Sequence, residues 1–122
     1  MASPFTVAAQ VSAYDECEDW LDELNEYLDA NIDYAIDFFK TNMPELKVCR
    51  PEGTYMLWLD FRGYGFTDEE IHRRIYDQAN VVLNDGRLHD AEQGECFQRM
   101  CLTLPRTVTD RAGANRPRIS IK

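Results

Sequence analysis

Apolar side chains recur at steps of three and four from residue 4 to about residue 42, which predicts a long helix or a helix pair with one buried stripe. The run Asp29-Ala30-Asn31 either divides this segment into two helices or bends it, and a proline at position 44 ends it. The residues of the stripe are Cys17, Leu21, Leu24, Leu28, Ile32, Ala35 and Phe39.

The pattern then changes to that of an antiparallel hairpin. Residues 46–50 predict a short strand, residues 51–53 a turn, and residues 54–61 the central strand of a sheet. Alternation along the central strand predicts one wholly apolar face and one mixed face that can border a cleft. The apolar face carries Tyr55, Leu57, Leu59 and Phe61, and the mixed face carries Thr54, Met56, Trp58 and Asp60.

The second half of the chain predicts one helix and two further strands. Thr67 is a typical N-cap with Glu70 three residues later, so a helix should begin there. Residues 81–83 predict a third strand, 84–95 a long polar loop, and 96–104 a fourth strand. The predicted fold class is α+β, with a long N-terminal helix or helix pair and a second helix packed on one face of a small, mostly antiparallel four-stranded sheet.

Arg99 is the most informative single residue, because it lies in the middle of the predicted fourth strand between apolar residues. Burying a guanidinium group is costly unless an anion meets it, and its planar fork suits a carboxylate. We interpret Arg99 as a candidate carboxylate-binding residue on the mixed face. Two alternatives stay open, namely a surface arginine at the sheet edge and an arginine paired with an internal Asp or Glu.

The charge balance limits the partners. Thirteen Lys and Arg residues against 22 Asp and Glu residues give a net charge of −9, which disfavours nucleic acid and anionic membranes. No apolar run is long enough to span a bilayer and the N-terminus does not resemble a signal peptide, so we expect a cytoplasmic protein. Seven acidic residues lie opposite the apolar stripe. They form either a solvated helix face or a docking surface for a basic partner. These are Asp15, Glu16, Glu18, Asp19, Asp22, Glu23 and Glu26.

The sequence offers no catalytic or metal-ligating set. His72 and His89 are 17 residues apart, on a predicted helix and in a predicted loop, so we expect no metal site. Lys40, Lys47 and Lys122 lie at a helix end, on a short strand and in the tail. None of these settings lowers a lysine pKa enough to make a nucleophile.

Four motifs, in this order and spacing, resemble the C-terminal small domain of fold-type I, pyridoxal-phosphate-dependent aminotransferases of class I/II. The PatB/MalY-type C-S lyases, which are cystathionine β-lyase-like, resemble the chain most. The resemblance assigns residues 1–108 to the small domain. Gly113 and Pro117 interrupt any helix that starts after Arg106, so the sequence pattern itself predicts a disordered or frayed basic tail at 109–122. The motifs are Trp20-Leu21-Asp22-Glu23-Leu24 with Tyr27-Leu28 and Asn31; Pro51-Glu52-Gly53-Thr54-Tyr55 running into Leu57-Trp58-Leu59-Asp60-Phe61; Leu83-Asn84-Asp85-Gly86; and Phe97-Gln98-Arg99-Met100 leading to Leu104-Pro105-Arg106.

The resemblance implies that Arg99 binds the α-carboxylate of an amino-acid substrate and that Asn84 lies near the mouth of the site. It also implies a homodimeric parent enzyme that uses pyridoxal phosphate for β-elimination of a thiol or for transamination. The cofactor's lysine would belong to a large domain upstream. We therefore expect this chain to be a fragment that holds no cofactor and is inactive alone. The alternative is a stand-alone, non-catalytic interaction module that uses the acidic helix face.

Overall fold

The structure, a computed structural model, describes residues 3–114 of the 122-residue chain. The main elements in chain order are α1 (Pro4–Glu16), α2 (Glu18–Asn42), β1 (Lys47–Cys49), β2 (Met56–Asp60), α3 (Asp68–His72), β3 (Asn84–Asp85), β4 (Phe97–Cys101) and α4 (Arg106–Ala114). Short 3₁₀ turns at Arg62–Tyr64 and Gly86–Leu88 follow β2 and β3, and the helix α3 continues as a π-helical segment at Arg73–Gln78.

The four strands form one sheet in the order β1-β2-β4-β3, and every neighbouring pair is antiparallel. The two longest strands, β2 and β4, are therefore the interior strands. Leu57 lies opposite Met100 and Leu59 lies opposite Gln98, so these four residues share one face of the sheet. The predicted α+β fold with a four-stranded antiparallel sheet is confirmed.

The core lies between that face and the helices α2 and α3. Leu57 and Leu102 are 0% exposed, and they pack with Ile32 of α2 and with Ile71 and Ile75 of α3 and its extension. The predicted apolar face of β2 therefore meets both helices on one side of the sheet. Tyr55, also predicted for that face, lies before the start of β2 and is exposed.

The N-terminal helical segment is divided at Cys17, not at Asp29-Ala30-Asn31. Asn31 is buried within α2. The helix tolerates this polar side chain because Nδ2 donates a hydrogen bond to the Leu102 carbonyl at 3.3 Å. Of the residues in the predicted stripe, only Ile32 and Ala35 are buried. Ile36, which lies outside the predicted stripe, is buried as well. No residue of α1 is buried, so the sheet covers only the second half of the long apolar pattern.

The third strand is Asn84–Asp85, three residues later than the apolar run at 81–83 predicts. Asn80 has φ of 53°, and the Val81 amide still donates to the Ile75 carbonyl, so the chain is turning out of the helix there. Val81 and Leu83 pack against the core without joining the sheet. Apolar packing and strand pairing are thus carried by different residues in this segment.

Residues 106–114 form α4, which differs from the frayed tail predicted for 109–122. Arg106 fixes the start of this helix: its Nε donates to Asn31 Oδ1 at 2.9 Å, and its guanidinium lies 4.3 Å from the centre of the Tyr34 ring. A hydrogen bond between Tyr34 and Asp110 raises the pKa of Tyr34 and adds a second link to α2. The rest of the predicted tail, 115–122, lies outside the described residues.

Among residues 3–114, none of the helices has both the length and the apolar character that crossing a bilayer requires.

Candidate functional site

Arg99 lies in the interior of the sheet, on the face turned away from α2 and α3, which we call the open face. It is directly opposite Trp58 of β2 on one side and Asn84 of β3 on the other. Residues that oppose each other across a strand pair point to the same side, so all three side chains share the open face. The structure therefore places the two site residues that the sequence predicts, Arg99 and Asn84, side by side. Trp58, on the other side of Arg99, is a third residue of this face.

The guanidinium of Arg99 has no carboxylate partner among the described residues. Its side chain is half-buried, and the buried Nε atom has no hydrogen-bond partner there. Neither alternative from the sequence fits this position, because Arg99 is not at the edge of the sheet and no internal Asp or Glu pairs with it. Six other arginines pair or hydrogen-bond within the described part of the chain: Arg50, Arg62, Arg73, Arg74, Arg87 and Arg106.

Asp60, the buried carboxylate of the open face, is held by another arginine. Arg62 donates from Nε to Asp60 Oδ1 at 2.9 Å and from a terminal nitrogen to Oδ2 at 2.8 Å. These hydrogen bonds hold the pKa of Asp60 below its ordinary value, so the group stays ionised and paired. Arg62 also lies 4.7 Å above the Phe97 ring. Because this carboxylate is already satisfied, it does not compete for Arg99.

Three rings, which we call the aromatic cluster, are grouped around Trp58, the cross-strand neighbour of Arg99: Trp58, Phe97 and His89. The Trp58 ring meets His89 edge-to-face at a centroid distance of 5.6 Å, and it meets Phe97 in the same way at 6.1 Å. Phe97 is two residues from Arg99 on β4, so its side chain points to the same face. Trp58 is 39% exposed, so part of its ring is open to solvent.

His89 reaches the cluster because its loop is closed at the base. Gly86 and Gly94 touch there: a Cβ on Gly94 would lie 2.3 Å from the Gly86 carbonyl, so neither position has room for a side chain. The loop end is fastened by the buried carboxylate of Asp68, which accepts a hydrogen bond from the Cys96 amide at 2.8 Å. The His89 amide donates to the Gly86 carbonyl at 2.9 Å.

The sequence pointed to this loop by its length but did not assign His89 to the site. No group of three or more metal-ligating side chains occurs within the described ranges. The contact between His89 and Trp58 joins residues 31 positions apart, which no local pattern can indicate. The one available signal was the unusually long polar segment between two strands.

Two lysines lie among residues 3–114, and neither adjoins Arg99 in the sheet. Lys40 is exposed at the C-terminal end of α2. Lys47 is exposed on the outer strand β1 directly opposite Asp60, so it lies on the open face with β2 between it and Arg99. A lysine that holds pyridoxal phosphate covalently needs a desolvated pocket, and these two exposed lysines do not fit that role.

Comparison with curated proteins identifies relatives of one kind, although no protein-family model matches the chain. Cystathionine β-lyase PatB of Bacillus subtilis is 36% identical over 96 residues, which cover 79% of this chain and 24% of that protein. Protein MalY of Escherichia coli is 31% identical over 116 residues, which cover 93% of this chain and 30% of that protein. The chain belongs to the PatB/MalY-type family.

Solved structures agree with this family assignment. A PLP-bound protein from Clostridium difficile superposes with a TM-score of 0.88 at 38% identity, covering 97% of this chain and 30% of that one. A PLP-bound C-S lyase from Staphylococcus hominis gives a TM-score of 0.83 at 28% identity, covering 97% of this chain and 29% of that one. The chain thus spans between 24% and 30% of the length of these four proteins.

Proposed function

We propose that this chain is the small domain of a pyridoxal-phosphate-dependent C-S β-lyase or aminotransferase and that Arg99 binds the α-carboxylate of the amino-acid substrate. The observation that carries the proposal is the unpaired, half-buried guanidinium of Arg99 at the centre of the open face. The planar arginine fork matches a carboxylate, which it can bind through two parallel hydrogen bonds. Asn84, the neighbour of Arg99 on β3, borders the same position.

The whole enzyme would act on the side chain of the amino acid that Arg99 holds. Bound pyridoxal phosphate supplies an electron sink that lets a bond at the substrate's Cα or Cβ break. The role of this chain is to orient the amino acid by binding its carboxylate. Because the bound substrate is already oriented, less entropy is lost in reaching the transition state. The name of one relative, cystathionine β-lyase PatB, favours a thioether amino acid as substrate.

We further propose that α1 and the first half of α2 pack against the cofactor-binding part of such an enzyme. Phe5, Tyr14 and Trp20 are 88%, 82% and 63% exposed, which is unusual for large apolar side chains on one helical segment. The acidic residues predicted opposite the stripe, including Asp15 and Glu26, are all exposed. Burial of the apolar side chains would leave these charges in solvent.

A domain replacement tests the proposal. In the PatB relative from Bacillus subtilis, the aligned segment is exchanged for this chain, and the hybrid is assayed with L-cystathionine. We expect the hybrid to show cofactor absorbance and to cleave cystathionine, because Arg99 would replace the relative's own carboxylate-binding group. The remaining part of the relative without any small domain is the control, and it should be inactive.

A hybrid that is folded and shows the absorbance of bound cofactor, yet cleaves no more cystathionine than the control, would contradict the proposed function. Circular dichroism and cofactor absorbance establish folding before activity is compared.

A further inference from the structure

We infer that His89 is a specificity-determining residue and that the aromatic cluster of Trp58, Phe97 and His89 receives the side chain of the acid held by Arg99, favouring thioether and other apolar side chains. This inference rests on the proposed function and deepens it. It assigns a role to a loop residue that lies ten positions before Arg99 in the sequence.

The register of the sheet places the cluster within reach of a bound acid. Trp58 is the direct cross-strand neighbour of Arg99, and such neighbours have Cβ atoms about 4.5–5.5 Å apart. A carboxylate on the guanidinium therefore brings the next carbons of the same molecule close to the indole ring. On the opposite side of Arg99 lies Asn84, a small polar residue that offers no comparable apolar surface.

The cluster has the chemistry of an apolar and polarisable surface. Trp58 meets two rings edge-to-face, at 5.6 Å for His89 and 6.1 Å for Phe97, so the indole packs against two aromatic side chains. Aromatic rings make favourable contacts with thioether sulfur. The nearby carboxylate of Asp60 is paired with Arg62 and does not introduce an uncompensated charge.

His89 differs from the other two rings because a loop presents it. Gly86 and Gly94 close the base of that loop, and the His89 amide is bonded to the Gly86 carbonyl. The imidazole is thus held against Trp58 by its backbone as well as by ring contact. A change at this position alters one side of the cluster without removing a residue of the sheet or of the core.

The test uses the full chain and two simple acids, acetate and 3-(methylthio)propanoate, which share a carboxylate and differ in the thioether. Dissociation constants are measured from the NMR shift of the Arg99 Nε–H resonance, with sodium chloride added to match ionic strength. We expect the thioether acid to bind about three- to tenfold more tightly than acetate. In His89→Ala this preference, the ratio of the two dissociation constants, should fall to about twofold or less.

Two variants serve as controls. His89→Phe keeps an aromatic ring on the loop and should keep the preference, and Leu88→Ala removes an adjacent side chain that is 76% exposed and should also keep it. Equal affinity for both acids in the unmodified chain, or a preference unchanged in His89→Ala, overturns the inference while leaving the proposed function intact. Failure of acetate to shift Arg99 at all overturns the proposed function, and the inference with it.

Discussion

Replacing Arg99 by alanine in the hybrid enzyme is expected to lower kcat/KM for L-cystathionine about 100-fold or more, because truncating one partner of a desolvated charge pair costs several kcal/mol. The loss follows from the position of Arg99, which is paired between Trp58 and Asn84 in the sheet and whose guanidinium meets no carboxylate among the described residues. Arg99→Lys should keep part of the activity, since a lysine retains the charge and loses the two-pronged geometry. Steady-state kinetics on the three proteins provides the measurement.

The matched control is Arg73→Ala, which removes an arginine that is exposed and paired with Glu70 on the first helix after β2. Surface ion pairs contribute little, so kcat/KM should stay within about twofold of the unmodified hybrid. If Arg99→Ala behaved like Arg73→Ala, substrate binding through Arg99 would be excluded.

Replacing Leu57 by alanine is expected to reduce the free energy of unfolding by about 2–5 kcal/mol. Leu57 is 0% exposed and lies on an interior strand, where its side chain meets helices that are themselves fixed by other buried contacts. The surrounding core cannot collapse easily into the space that the deletion leaves, because its other contacts hold the backbone in place. Urea denaturation followed by circular dichroism measures the change.

Val82→Ala is the control for this prediction, because Val82 is 81% exposed and has almost no packing to lose. Its effect should stay within about 0.5 kcal/mol. A Leu57→Ala protein with stability equal to that of the Val82→Ala protein would contradict the assignment of the core to this face of the sheet.

The parts of the fold that the sequence predicts are those that local patterns encode. Alternation along β2 and β4 separates Leu57 from Trp58 and Met100 from Arg99, and the register of the two strands preserves that separation. The N-cap at Thr67 is present, with its hydroxyl accepting a hydrogen bond from the Glu70 amide. The Glu70 side chain turns to Arg73 and Arg74 instead of completing a capping box, and these hydrogen bonds lower the pKa of Glu70 to about 2.

The parts that the sequence does not predict depend on contacts between distant residues. Asn31 is tolerated inside α2 because its partners are the Leu102 carbonyl, 71 positions away, and the Arg106 side chain, 75 positions away. The hydrogen bond between Arg106 and Asn31 also anchors α4. The sequence pattern predicts no stable helix there because of Gly113 and Pro117. His89 is likewise assigned to the site only when its loop is seen to close over Trp58.

Titration of the full chain with acetate, followed through the arginine Nε–H resonances, tests most directly whether Arg99 is a carboxylate-binding group. The account predicts a saturable shift of Arg99 at millimolar acetate, with Arg62 and Arg87 unchanged because both are already bonded to carboxylates, Asp60 and Asp85. A shift of equal size at all three arginines, or none at Arg99, would contradict the assignment of the open face as the substrate-carboxylate site.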